Sequence, residues 1–142
     1  MLSQHRGGRC HQRAACRLDP ETGDSRWSAR TAARWNRGYV RSGSVVGLLD
    51  EKVLRGLDIR TGRARWEVGS TLAGLRLLGT ARGLFLCAAR KGLYAFDTGT
   101  GEQVWFHEVI GASGDWGGTV VGHDVFVTVA TTLFCCTLAE RG

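Results

Sequence analysis

No stretch of this sequence is apolar for long enough to cross a bilayer as a helix, which excludes a helical membrane span. Apolar residues never recur for long at spacings of three and four, so little helix is expected. The first residues, Met1 to Arg13, carry positive charge but lack the apolar centre of a secretory signal. As written the chain reads as cytoplasmic, and an extracytoplasmic place follows only if its true N-terminus lies upstream. Five cysteines (Cys10, Cys16, Cys87, Cys135 and Cys136) make an odd number without paired spacings, which argues against a disulfide framework. Cys10-His11 and Cys16 lack a second ligand pair at zinc-site spacing. Asn36 is the only asparagine, and no Ser-His-Asp order, Walker loop or Rossmann glycine pattern occurs.

Acidic residues are also scarce: 13 against 19 basic ones, a formal charge of +6. The basic residues are nearly all Arg, scattered without aromatic interleaving, and no nucleic-acid module accompanies them. GC-rich bacterial coding explains that bias better than a nucleic-acid partner does. What the sequence has in quantity is glycine, 21 residues against one proline, set at intervals between short apolar runs. That distribution predicts an all-β chain of short strands and tight turns.

One pattern organises those strands. Asp-x-x-Thr-Gly-x-x-x-Trp occurs three times, as Asp19, Thr22, Gly23 and Trp27; Asp58, Thr61, Gly62 and Trp66; Asp97, Thr100, Gly101 and Trp105. The interval is 39 residues each time, and a repeat of that length marks a propeller or solenoid array. Between copies, runs such as Ser44–Leu49 with Val53–Leu57, and Leu75–Leu78 with Leu84–Ala88 and Leu93–Phe96, supply further strands. Each unit therefore yields four short strands, the content of one antiparallel propeller blade. In Arg63–Val68, Ala64, Trp66 and Val68 share one face, and Arg63, Arg65 and Glu67 the other. The third unit predicts a turn over Thr80–Gly83, and Gly111–Gly118 reads as a glycine-rich connection. After it the repeat decays, with Thr137 in place of the Asp. Residues 1–14 are expected to be a disordered basic segment, and 15–142 a partial propeller domain of about three and a half blades.

The pattern has a physical account that needs no ligand. An Asp carboxylate accepts backbone N–H groups two and three residues on, the Thr hydroxyl bonds across the turn, and the Gly supplies a positive φ. The Trp has the size to fill the gap between adjacent sheets, and its indole N–H needs a carbonyl partner, expected in the next blade. His107 alternates onto the face of Trp105, so it is expected to be packed; His123 falls in a hairpin turn.

These residues resemble the tryptophan-docking motif of the PQQ-type β-propeller repeat family, usual form Ala-x-Asp-x-x-Thr-Gly-x-x-x-Trp. The Ala position holds Arg17, Gly56 and Ala95, so the third copy alone matches throughout. The resemblance implies a β-propeller and, for most members, no quinone; it includes an outer-membrane barrel-assembly lipoprotein, sensor-like domains and quinoprotein dehydrogenases. A non-catalytic scaffold for protein interaction or ligand sensing is the reading it favours, with no cofactor, no metal and no catalytic residue. Its alternative is a piece of an alcohol or sugar dehydrogenase using PQQ and Ca2+, for which Cys135-Cys136 resembles a vicinal disulfide and Asp115-Trp116 a cofactor contact. Closure takes at least four blades. The chain therefore reads as a fragment, ahead of a ring of several copies or one part of a multi-chain protein. Further blades or a protein partner, and self-association through open blade edges, are the expected contacts.

Overall fold

The structure is a computed structural model describing residues 14–30, 39–50, 53–69, 75–108, 116–129 and 132–138. Every regular element among them is a β-strand, and no helix is long and apolar enough to cross a membrane. β1 (Ala14–Leu18) and β2 (Ser25–Arg30) form a two-stranded sheet. β3 (Tyr39–Ser42), β4 (Val45–Asp50), β5 (Val53–Asp58) and β6 (Ala64–Gly69) form a four-stranded sheet in chain order. β7 (Arg76–Ala81), β8 (Leu84–Ala89), β9 (Gly92–Asp97) and β10 (Gln103–Glu108) form a second. β11 (Trp116–Val121), β12 (Asp124–Val129) and β13 (Thr132–Thr137) form a three-stranded sheet. All neighbours are antiparallel, so these are blades of a partial propeller.

Two apolar layers hold the sheets face to face. Between the second and third sheets, Val45, Leu49 and Leu54 meet Leu77, Phe85, Cys87, Tyr94 and Phe96. Between the third and fourth, Leu84, Leu86, Ala88, Leu93 and Ala95 meet Val125 and Val127. Strand alternation explains how one sheet serves both layers: Phe85 and Cys87 point one way, Leu84 and Leu86 the other. β8 accordingly is buried along its whole length. Gly47 lies under the Phe85 ring, where a Cβ would come within 2.8 Å of it.

Several boundaries differ from the sequence-based expectation. Of the segment expected to be disordered, residues 1–13 lie outside the described residues, and Ala14 already belongs to β1. The turn predicted over Thr80–Gly83 is tighter: Ala81 pairs with Leu84, leaving Arg82 (φ 51°) and Gly83 (φ 73°) as the two turn residues. Two successive positive φ values match the right-handed twist of the flanking strands. The glycine-rich connection over Gly111–Gly118 ends sooner than expected, because β11 starts at Trp116; residues 111–115 lie outside the described residues. Gly117 and Gly118 serve close approach there, since a Cβ would lie 2.8 Å from Thr128 Oγ1 and from the Phe126 carbonyl oxygen respectively. His107 is exposed rather than packed: β10 is an edge strand, and Trp105 is its one half-buried side chain. Cys16 is disulfide-bonded, so one covalent link exists where the odd cysteine count argued for none.

Candidate functional site

The three repeat turns are built alike. In each, the Gly N–H donates to the Asp carbonyl at 2.7–2.8 Å, and the Asp N–H donates to the carbonyl five residues on at 2.8 Å. The glycines sit at φ 78° (Gly23), 75° (Gly62) and 78° (Gly101), where a Cβ is strained. Asp19 Oδ1 accepts from Glu21 N–H at 2.8 Å, and Asp58 Oδ1 from Arg60 N–H at 2.8 Å. Asp97 Oδ1 accepts two, from Gly99 N–H at 2.8 Å and Thr100 N–H at 3.1 Å. Thr22, Thr61 and Thr100 each accept from the N–H two residues on at 3.2 Å.

Each indole reaches the next turn. Trp27 Nε1–H donates to the Ile59 carbonyl at 2.7 Å, and Trp66 Nε1–H to the Thr98 carbonyl at 2.9 Å, both across 32 residues. Those carbonyls belong to the residue after the next Asp. The N–H groups of Ile59 and Thr98 donate to Ser44 and Gly83 within their own sheets, at 2.9 and 3.0 Å. The rings lie on the next glycine: a Cβ on Gly62 would come within 2.5 Å of Trp27, and one on Gly101 within 2.5 Å of Trp66. Trp105 and Leu138 both pack against the apolar layer between the third and fourth sheets, and Leu138 N–H donates to the His123 carbonyl as Thr98 N–H does to Gly83. The Ala position of the motif also has a cause here, because it faces the Trp of its own sheet. Gly56 pairs with Trp66, Ala95 with Trp105 and Arg17 with Trp27. A Cβ at Gly56 would meet the Trp66 ring at 2.2 Å. Arg17 extends away instead, donating from Nη1 to the Ile59 carbonyl at 2.9 Å.

The charged groups at these turns are surface pairs. The Glu21 backbone N–H and then the Arg26 guanidinium hold the Asp19 carboxyl below its ordinary value of 3.8. For Asp58 the Arg65 side chain is the larger cause, followed by the Arg60 N–H. A carboxyl with a lowered folded-state pKa adds stability that is present above 3.8 and is lost as pH falls through the folded value. Urea midpoints of the unmodified chain are therefore expected to hold above about pH 5 and to drop in acid. Asp58→Asn should drop less steeply over that acid range; equal slopes in the two proteins would contradict the assignment.

Elsewhere, Asp50 is buried and pairs with Arg55 at 3.3 Å; the Arg55 Nε lies 3.4 Å from Glu67. A cavity of about 520 Å3 opens between the first two sheets, lined among others by Ala15, Arg17, Trp27, Tyr39, Leu48 and Leu57. Burial pushes the Cys87 thiol up to about 12, so it stays protonated in the core. Cys135 and Cys136 are free thiols on opposite faces of β13, Cys136 inward and Cys135 exposed, not the vicinal disulfide the dehydrogenase alternative suggested. His123 lies in the β11–β12 turn. Cys10, His11, Asn36 and Asp115 lie outside the described residues, and Trp116 is placed there by its backbone in β11. Among the described residues no group of three His, Cys, Asp or Glu side chains converges on a metal position.

Among the described residues nothing covers the outermost face of the β11–β13 sheet. Register places Thr119, Val121, Phe126, Leu133 and Cys135 on it, opposite the face that carries Val125 and Val127. Val121 is 60% and Leu133 65% exposed. Equivalent faces of the two preceding sheets are covered by the next sheet.

A family model described as outer membrane protein assembly factor BamB, of the PQQ-repeat type, matches residues 10–90. Among solved structures, the crystal structure of BamB from Moraxella catarrhalis is similar, with a TM-score of 0.66 and 24% identity. That likeness covers 83% of this chain and 41% of the BamB chain, so this sequence spans less than half the length of the structure it matches. No curated protein matches.

Proposed function

This chain belongs to the BamB-type PQQ-repeat family, and from that premise we propose that it is a non-catalytic propeller segment that holds a protein partner. Residues 15–142 act as one part of a larger propeller assembly, the segment's share of the matched BamB length being 41%. A fold alone does not assign function, so the reading rests on a site. The observation that carries it is the outer face of the β11–β13 sheet, uncovered among the described residues, where Val121 and Leu133 stand in water while Leu54 and Leu93, the positions equivalent to Leu133 in the two preceding sheets, are buried. Exposed apolar surface on an ordered sheet favours protein contact. The relative's description as an assembly factor for outer membrane proteins supports a protein partner over a small ligand.

The test is a photo-crosslinking side chain placed at Val121, with Glu21 in the first turn as the control, in cells that produce the protein. One defined polypeptide joined at Val121 and not at Glu21, and displaced by excess unmodified chain, is expected. Identical products from both positions would overturn the reading. So would dye-linked alcohol oxidation by the purified chain after addition of PQQ and Ca2+.

A further inference from the structure

The first repeat differs from the other two at the residue that faces its Trp. Residue 17 is Arg where the later copies have Gly56 and Ala95, and Arg60, in the second turn, stands where the third copy has Gly99. Arg17 donates from Nη1 to the Ile59 carbonyl at 2.9 Å, the same oxygen that takes the Trp27 indole N–H at 2.7 Å. Both lone pairs of that oxygen are then in use. The carbonyl belongs to the peptide bond that joins Ile59 to Arg60, so Arg17 is anchored on the backbone beside Arg60.

Arg17, Arg26 and Arg60 line a cavity of about 640 Å3 between the first and second turns, with Asp19, Asp24 and Ser25. Three guanidiniums against two carboxylates leave an excess of one positive charge. One ion pair links them, Arg26 Nη2 to Asp19 Oδ2 at 2.7 Å. Among the described residues Arg17 uses one of its five N–H donors, and the Arg60 side chain donates no hydrogen bond. Unused donors on a half-buried cation are costly until an acceptor meets them. At the junction of the second and third turns the equivalents of Arg17 and Arg60 are Gly56 and Gly99. The cluster is therefore a property of these side chains and not of the repeat.

We propose that the junction of the first two repeat turns binds a carboxylate group, held between Arg17 and Arg60. The single excess positive charge matches one carboxylate. A guanidinium presents parallel N–H donors that fit its two oxygens. Asp24 in the same cavity disfavours a more highly charged anion. Two sources carry the group, a free small acid and an acidic side chain of another protein. The site shares no residue with the β11–β13 face, so crosslinking at Val121 and binding here are read separately.

Acetate is added to the full chain at constant ionic strength, with chloride as the reference, and the NMR signals of the arginine Nε–H groups are followed. Saturable shifts of the Arg17 and Arg60 signals are expected, which chloride does not produce. Arg60→Ala removes an exposed side chain without a hydrogen bond among the described residues, so the fold is retained. Acetate should then bind about tenfold more weakly, the loss of one charge-assisted bond. Arg90→Ala, an equal change of charge in the β8–β9 turn, should bind as the unmodified chain does. A peptide blocked at both ends, Gly-Ser-Glu-Ser-Gly, separates the sources: tighter binding than acetate identifies a protein side chain, equal or weaker binding a small acid. Shifts no larger than with chloride, unchanged binding by Arg60→Ala, or an equal loss in Arg90→Ala overturns the proposal.

Discussion

Trp66→Ala is expected to lower stability by about 3 kcal/mol, at the low end of the range for truncating a buried aromatic because the ring is half-buried. Three contacts are lost together. The indole donates to the Thr98 carbonyl at 2.9 Å, lies over Gly101, and packs against Phe85 with ring centroids 6.0 Å apart. All three cross to the third sheet, whose apolar layer with the second includes Val45, Leu49 and Phe96. Trp27→Ala should cost less, since among the described residues its own sheet has two strands and contributes to neither buried apolar layer. Urea denaturation midpoints measure the difference; equal midpoints would contradict the account.

Gly101→Ala should be nearly as damaging, and Gly23→Ala separates its causes. Both glycines sit at φ 78°, so a Cβ strains the backbone by roughly 1–2 kcal/mol at either place. At Gly23 that Cβ meets nothing within 4 Å. At Gly101 it would lie 2.5 Å from the Trp66 ring, adding an overpacking cost of about 1–3 kcal/mol. Gly101→Ala is thus expected to cost about 2–5 kcal/mol in total. In a Trp66→Ala background most of the excess should vanish, leaving the strain and a 3.0 Å approach to Val68 Cγ2, because the ring that the Cβ strikes is gone. If Gly101→Ala and Gly23→Ala shift the urea midpoint equally, the glycine serves its turn and nothing else.

The glycine of each repeat has one duty that the sequence shows and one that it does not. Asp-x-x-Thr-Gly is a local pattern, and its local meaning is readable from residue chemistry: a short carboxylate and hydroxyl beside a residue that accepts positive φ. The second duty of Gly62 and Gly101, as the floor for the preceding tryptophan, joins residues far apart in the chain and has no local sign. The small residue at positions 56 and 95 is similar, because cross-strand pairing places it against Trp66 and Trp105. A hint existed in the preference for Ala there, but only register says what it faces. His107 illustrates the opposite error: period-two alternation put it on an inner face, while its place on an edge strand left it exposed. Alternation says which way a side chain points, not whether anything stands opposite.

The repeat unit, the four-strand content of a blade and the propeller class are legible in the residues alone. Those follow from turn chemistry and period-two apolar runs, which act between neighbours in the chain. Which faces are closed and which are left in water follows from how the sheets stack. Burial is a property of the whole stack: Leu84 and Val125 are covered because a sheet lies across from them, while Val121 and Leu133, no more polar, are not.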